Sequence, residues 1–426
     1  MKKLKIALAG LGSRGKDTYA KTAKLFPDRM EIVAIADIDE EKVKEVGKLY
    51  DVPKDKWFSS AEELLSKEKL ADAIFITTQD RQHISHAIPA LKKGYHILLE
   101  KPISPNLEEC REIVKVAKEC ERKVVVCHVL RYTPFFTKLK EIIENDTIGE
   151  IVSVMAIENV GYWHQAHSFV RGNWRNSETT SPMILQKCCH DMDLYLWLTG
   201  KTCKSVSSFG STYLFKAESA PEGAALRCMD GCKAKEECPF DAEKIYITNK
   251  KTGVASGKTD WPLDVLTLHP TVESIREAIK YGPYGRCVYH CDNNVVDHQV
   301  VNLNMTDGAT IQLTMCAFTA TGSRQAKFMG TKGEIVADMS SNIIKITQFG
   351  KDTEVVDVSK IASGFEGHGG GDNRMVSEFL DLIINDKEPT SAITSVEHSV
   401  ESHYCALAAE KSRLSHGAVI ELDTLR

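Results

Sequence analysis

Lys5-Ile6-Ala7-Leu8-Ala9-Gly10-Leu11-Gly12-Ser13-Arg14-Gly15 is the stretch whose reading decides the fold. Residues 5–9 read as a buried strand, and a G-x-G-x-x-G turn follows at once. Gly10 permits the tight turn, Gly12 lets the main chain approach a diphosphate, and Gly15 lets the next helix pack closely on the strand. That helix is expected through about Leu25. Its first turn, with Ser13 and Arg14, offers free N–H groups and the positive end of a dipole to phosphates. A second strand over 31–36 runs into Asp37, 22 residues after Gly15, where a carboxylate would accept the hydroxyls of an adenosine ribose. Ile38, Asp39, Glu40 and Glu41 follow, with no Arg or Ser to receive a 2′-phosphate, so the expected cofactor is NAD rather than NADP.

Outward from that turn, helices are expected over 39–50, from Ser60, over 83–93 and over 107–120, alternating with strands over 73–77, 96–99 and 123–127. Such alternation means a parallel sheet covered by helices on both faces. The pattern changes near Arg131. A long strand over 151–158 leads to a polar, aromatic loop over 161–176 and an apolar helix over 181–198. Alternating strands follow over 295–305, 310–317, 325–329, 334–339, 343–348 and 354–358. Asp307-Gly308 and Lys332-Gly333 are hairpin signals, and helices over 374–384 and 396–415 close the chain. The expected fold is an α/β Rossmann domain with a parallel sheet over 1–127. Residues 128–426 form an α+β domain on a large, mostly antiparallel open sheet, with a cysteine-containing insertion at about 215–270.

The 426 residues, 42% apolar, suffice for a core in each domain. The net charge of −5 gives no electrostatic reason to bind nucleic acid. No apolar run reaches the roughly 18 residues of a membrane span. Met1 to Lys5 read as the approach to a strand rather than a signal peptide, so a cytoplasmic protein is expected. Most of the 13 cysteines read as small buried hydrophobes. Cys228-x3-Cys232-x5-Cys238 differs. Thiols this close suit a structural zinc, with a fourth ligand from Cys203, Cys287, His290 or Cys291; an iron–sulfur centre and unligated thiols are the alternatives.

Further segments carry a family likeness. Thr78-Gln79-Asp80-Arg81-Gln82-His83 and Gly94-Tyr95-His96-Ile97-Leu98-Leu99-Glu100-Lys101-Pro102 resemble the Gfo/Idh/MocA oxidoreductases. So do Arg131-Tyr132-Thr133-Pro134, Ile148-Gly149-Glu150-Ile151, Cys189-His190-Asp191-Met192-Asp193 and Gly330-Thr331-Lys332-Gly333. The likeness covers nearly the whole chain apart from the insertion. It implies an NAD(P)-dependent oxidoreductase in which Thr78, Gln79 and His83 lie beside the nicotinamide, Glu100 and Lys101 stand at the active site, and Arg131 and His190 belong to the substrate side. Gln79 and Asp80 occupy positions where Pro and Asn are usual. Gln186 stands four residues before His190, where Asp is usual.

Hydride transfer from a secondary alcohol needs a base for the hydroxyl proton and a cationic or donating group to steady the oxygen. Lys101 follows a parallel strand, at the edge where such sheets bind ligands. His190 shares a helix face with Gln186 and Lys187. Glutamine cannot act as a base, so His190 is expected to work alone or with Lys187, with Asp193 available to orient it. In the loop over 161–175, aromatic rings and hydrogen-bonding groups suit a sugar ring, which places Tyr162, His164, His167, Arg171 and Trp174 near substrate. His368, before Gly369-Gly370-Gly371-Asp372, belongs to a second candidate loop. The bland readings are a solvated lysine for Lys101, a satisfied core histidine for His190, and interface or linker roles for the two loops.

The leading expectation is therefore an NAD-dependent dehydrogenase of a sugar, sugar acid or cyclitol. The alternative is a redox-neutral glycosidase or lyase acting through a transient keto-sugar. A ligand-sensing regulator on the same scaffold is a third reading, disfavoured by the pairing of Lys101 with His190. The partners expected are a small carbohydrate-like substrate and further copies of the chain, as a homodimer or homotetramer.

Overall fold

The computed structural model describes residues 3–363, 369–385 and 390–426. β1 (Leu4–Ala9), β2 (Met30–Ala36), β3 (Trp57–Phe58), β4 (Ala73–Ile76), β5 (His96–Leu99) and β6 (Val124–Val126) form a six-stranded sheet in the order β3-β2-β1-β4-β5-β6. Every pair is parallel. The near-continuous apolar runs of these strands are what a sheet covered on both faces requires. Helices α1 (Glu40–Leu49), α2 (Ala61–Ser66), α3 (His83–Lys92) and α4 (Leu107–Glu119) flank it. Their starts follow from side-chain caps: Asp39 accepts from the N–H groups of Glu41 and Lys42, Ser60 from Glu63, and Asn106 from Glu108 and Glu109. Each cap contributes about 1 kcal/mol by satisfying an orphan donor.

Gly10 sits at φ +94°, and a Cβ there would lie 2.6 Å from the Thr77 carbonyl oxygen. A Cβ on Gly15 would lie 2.0 Å from the Gly10 carbonyl oxygen. Both positions therefore demand glycine. The helix expected through Leu25 is instead a wide π-wound segment, Ser13–Tyr19, followed by a single α-turn, Thr22–Leu25.

The second half contains α5 (Pro134–Glu144), β7 (Ile151–Asn159), α6 (Met183–Thr199), β8 (Cys203–Ser211), α7 (Val272–Tyr281), β9 (His298–Met305), β10 (Thr310–Cys316), β11 (Ser323–Gly330), β12 (Gly333–Asp338), β13 (Ile343–Gln348), β14 (Glu354–Asp357), α8 (Gly371–Ile384), α9 (Val396–Leu414) and β15 (Ile420–Glu421). Its nine strands run β14-β13-β12-β11-β7-β10-β9-β8-β15. All neighbours are antiparallel except β7 and β10. Both hairpins signalled by Asp307-Gly308 and Lys332-Gly333 form. No described helix is long and apolar enough to cross a membrane.

Five numbered elements escape the sequence reading: the two-residue strands β3 and β15, and α5, α7 and β8. β8, Cys-Lys-Ser-Val-Ser-Ser-Phe-Gly-Ser, is rich in serine and poor in β-branched residues, yet pairs with β9 along its whole length. α7 packs Ile275 and Ile279 against Phe215, Phe240, Ile245 and Tyr246, in a small core separate from those of the two sheets. The last helices return to the first sheet. Met375, Val376 and Phe379 of α8 share a core with Ile6, Leu8 and Phe75, and Val126 N–H donates to the Thr394 carbonyl at 2.8 Å. α8 thus covers the parallel sheet, although it follows the second sheet in sequence.

Candidate active site

The sheet order reverses between β1 and β4, and their carboxyl ends carry the glycine turn and Thr77-Thr78. That crevice is the ligand position of open parallel sheets. A Cβ built on Gly12 meets nothing within 4 Å, so the main chain there faces open space, as approach of a diphosphate requires. Asp37 is oriented by the same turn: Oδ2 accepts from Leu11 N–H at 2.5 Å and Oδ1 from Asp39 N–H at 2.9 Å. Ile38 beside it is 89% exposed. These residues fit NAD. Asp37→Ser is expected to raise the Kd for NAD by roughly 10–100-fold, the loss of a charged hydrogen-bond pair, and to shrink the preference over NADP. Fluorescence titration with both nucleotides checks this, and an unchanged preference would remove Asp37 from the ribose site.

Arg14 and Glu100, expected to touch cofactor, are engaged with each other. The Arg14 guanidinium donates to Glu100 Oε1 (2.6 Å), to the Tyr19 hydroxyl (2.5 Å) and to Asp372 Oδ1 (2.6 Å). Glu100 also accepts from the Lys101 N–H at 2.9 Å. Burial alone would raise the Glu100 carboxyl, but Arg14 and Lys101 outweigh it and hold the group below its usual range. This network locks the glycine turn to the lysine turn and to α8. His83 works in the same way, with Nδ1 2.7 Å from the Pro102 carbonyl oxygen and Nε2 3.1 Å from that of Thr78. The Thr78 hydroxyl lies 3.0 Å from His86 Nδ1, and the Gln79 side chain caps the turn over 80–82.

Lys101 leaves the end of β5 and reaches α6. Its Nζ donates to the Gln186 main-chain carbonyl at 2.7 Å. The Gln186 amide oxygen, in the orientation that satisfies its neighbours, accepts from Lys101 Nζ at 3.2 Å and from Trp174 Nε1 at 3.3 Å. Trp174 Nε1 also lies 3.1 Å from Asp80 Oδ1, while Asp80 Oδ2 accepts from Ser181. Asp80, which departs from the family pattern, thus ties the two halves together at the site. The ammonium is held one helical turn before His190, whose buried ring meets that of His128 edge-on at 5.5 Å.

Charges beside this point are balanced in pairs. Lys187 Nζ lies 3.3 Å from Glu158 Oε1. Arg324 grips Asp191 with two bonds (2.8 and 3.1 Å) and approaches Glu158 at 3.0 Å. Lys187, expected to assist His190, is therefore paired with Glu158. Asp193, expected to orient His190, is bound instead by Arg131 through two bonds (2.7 and 2.6 Å) in a buried pair. Arg131, expected at the substrate, is consumed by that pair. His164 stays close to the lysines, and burial followed by the charges of Lys187, His167 and Lys101 keeps its imidazole neutral, well below the usual range.

The rest of the aromatic loop divides. Tyr162 reaches Asn249 at 3.4 Å. His167 is stacked on Tyr284 (4.8 Å) and bonded to the Tyr246 hydroxyl (3.0 Å). Arg171, 1% exposed, donates to the Arg286 and Phe240 carbonyls, both at 2.7 Å. These two expected substrate residues point into the insertion because its small core lies behind the loop. His368 lies outside the described residues. The sequence reading missed His128, Glu158, Asp191 and Arg324. His128 follows β6 at the ligand-binding edge, a position rule that could have found it. Neither of its ring nitrogens has a hydrogen-bond partner among the described residues, and burial holds the ring neutral, pushed down to about 4. Cys228, Cys232 and Cys238 line a common cavity in the insertion. Among the described residues no three His, Cys, Asp or Glu side chains stand together as a ready metal shell, so the expectation of zinc gains no support from a preformed site.

Comparison with known proteins is consistent along the chain. Residues 4–128 match the model of an oxidoreductase family's NAD-binding Rossmann fold, and residues 140–419 that of the family's C-terminal alpha/beta domain. The protein YteT of Bacillus subtilis is 22% identical over 394 residues, 88% of each chain. The myo-inositol 2-dehydrogenase of Thermotoga maritima is 25% identical over 208 residues, 49% of this chain and 58% of that protein. Among solved structures, the WlbA dehydrogenase of Bordetella pertussis, in complex with NADH and UDP-GlcNAcA, superposes with a TM-score of 0.69 at 18% identity, covering 99% of this chain and 98% of that one.

Proposed function

Since this chain belongs to the Gfo/Idh/MocA family of oxidoreductases, we propose that it transfers hydride between NAD and a secondary alcohol of a sugar, sugar acid or cyclitol. The observation that carries this reading is the Lys101 ammonium, docked on the turn of α6 that leads to His190, at the sheet edge opened by Gly12. Bound NAD supplies the hydride acceptor. The side chains do the rest. Lys101 donates a hydrogen bond to the reacting oxygen and exchanges its proton. His190 and the neutral His164 offer acceptors for the same proton, and Trp174 gives a flat face for a sugar ring. Gln186 positions Lys101 and takes no part in proton transfer. Outside the site, exposed Val152, Met155, Val336 and Val355 on the large sheet suit contact with a second copy, hence a homodimer or homotetramer.

One observation favours a second reading, a redox-neutral elimination or hydrolysis through a transient ketone. The residue four before His190 is an amide held between Lys101 and Trp174, so the base usual in the family is missing. One experiment separates the two. The purified protein is incubated with excess NAD and a panel of polyols, aldonic and uronic acids, inositols and aryl glycosides, while NADH absorbance and aglycone release are followed together. Stoichiometric NADH growth supports the dehydrogenase. Aglycone release without NADH supports the second reading, and neither signal across the panel would sink both.

A further inference from the structure

Arg171 poses a problem that its hydrogen bonds do not solve. Its guanidinium is 1% exposed, and a cation so deeply buried needs a compensating anion. No carboxylate pairs with it among the described residues. Two of its bonds end on carbonyls, and a third runs from Nη2 to Cys228 Sγ at 3.4 Å. The groups around it that can carry negative charge include the thiols of Cys228, Cys287 and Cys291.

Cys228, Cys232, Cys238 and Cys287 line one cavity of about 10 Å³, with Arg171 in its wall. Two donors, the Arg171 guanidinium and a main-chain N–H, converge on the Cys228 sulfur. Ala242 N–H donates to Cys228 Sγ at 3.4 Å. A neutral thiol is a weak acceptor, and two donors on one buried sulfur suit a thiolate. The other candidates for a fourth sulfur lie elsewhere: Cys203 bonds carbonyls along β8 and β9, and Cys291 donates to the Cys287 carbonyl.

We propose that Cys228, Cys232, Cys238 and Cys287 form a closed tetrathiolate site for a structural zinc ion. Among the described residues no three of these side chains already stand together as a shell, so the sulfurs must close on the ion as it binds. Zinc with four thiolates carries a net negative charge, and this is the anion that Arg171 lacks. The ion staples an insertion that has few regular elements, and it adds no redox step to the reaction.

The test uses the full-length protein, grown with zinc and purified without a metal-chelating tag. Elemental analysis is expected to find about one zinc per chain. Replacement by Co2+ is expected to give the thiolate-to-cobalt absorption of a tetrahedral site. Cys287→Ser and Cys232→Ala should lose the metal, whereas Cys316→Ser, outside the cavity, should keep it. If the ligand variants fail to fold, stoichiometric zinc release on blocking the wild-type thiols with an organomercurial serves in their place. Metal-free wild-type protein that also gives no cobalt band overturns the proposal, as does iron with inorganic sulfide in place of zinc.

Discussion

Replacing Lys101 by methionine is expected to lower kcat by roughly 10²–10⁴-fold, the contribution of one positioned proton donor, and to leave the Kd for NAD within about threefold. Methionine keeps the length and apolar stem of the side chain and removes only the ammonium. In the structure that ammonium contacts Gln186, through its carbonyl at 2.7 Å and its amide at 3.2 Å, and not the glycine turn. The diphosphate cradle should therefore survive. If the lysine steadies oxygen charge that develops only during hydride transfer, kcat and kcat/KM fall together. Gln186→Leu provides the internal contrast. It removes the amide but keeps the main-chain carbonyl on Lys101, so its loss should be smaller, on the order of tenfold. The measurement is initial-rate NADH formation with the substrate found in the polyol panel, alongside NAD titration of each variant. Wild-type turnover in Lys101→Met would remove the lysine from the chemistry.

That this site is legible at all in a bare sequence comes from local geometry. The glycine turn, the acid at Asp37 and the lysine after β5 are each fixed by residues within a few positions of a strand end, where main-chain requirements dictate the side chain. Residues that act across the fold are not written this way. Asp193 and Lys187 lie at suitable spacing from His190, yet Arg131 and Glu158, from β6's loop and β7, take them first. Such capture depends on which strands become neighbours, and the local pattern does not encode that. The same holds for His167 and Arg171. An aromatic, basic loop reads as a sugar site, but its inward face is set by an insertion with a core of its own, whose packing is visible only in three dimensions. α5, in contrast, was open to reading: Thr133 followed by Pro134 is a cap with proline in the first turn, and the Thr133 hydroxyl accepts from Phe136 N–H. β8 was not, because a serine-rich strand looks like a loop until its partner is known.

Acid is expected to destabilise the fold well before the carboxylates titrate. Three fully buried imidazoles are kept neutral mainly by burial: His128 is pushed down to about 4, and His167 and His403 to about 3. Protonation would also break specific contacts, since His403 Nε2 accepts from Ile103 N–H at 2.7 Å. In the unfolded chain each ring takes its proton near pH 6.5. Between pH 6.5 and about 4 the unfolded state therefore binds more protons, so this stability is complete above pH 6.5 and is lost as pH falls. Each imidazole costs roughly 2 kcal/mol by pH 5, about 6 kcal/mol for three, a large share of an ordinary domain's total. Three acids oppose them, since burial raises Glu158 and Glu378 as well as Asp264. Burial raises Asp264 to about 6, which adds stability as pH falls from there. Asp264 offsets about 1.4 kcal/mol at pH 5, against about 2 kcal/mol for each imidazole, so the histidines win. Urea unfolding at pH 7.5, 6 and 5 should show a slope steepening toward about 4 kcal/mol per pH unit, three protons at about 1.4 each. His403→Asn, which keeps an acceptor for Ile103 N–H but cannot titrate, should remove about a third of that slope. A stability that stays level from pH 7.5 to 5 would mean the rings are charged or solvated in the fold, and His128 would then lose its place as a neutral neighbour of His190.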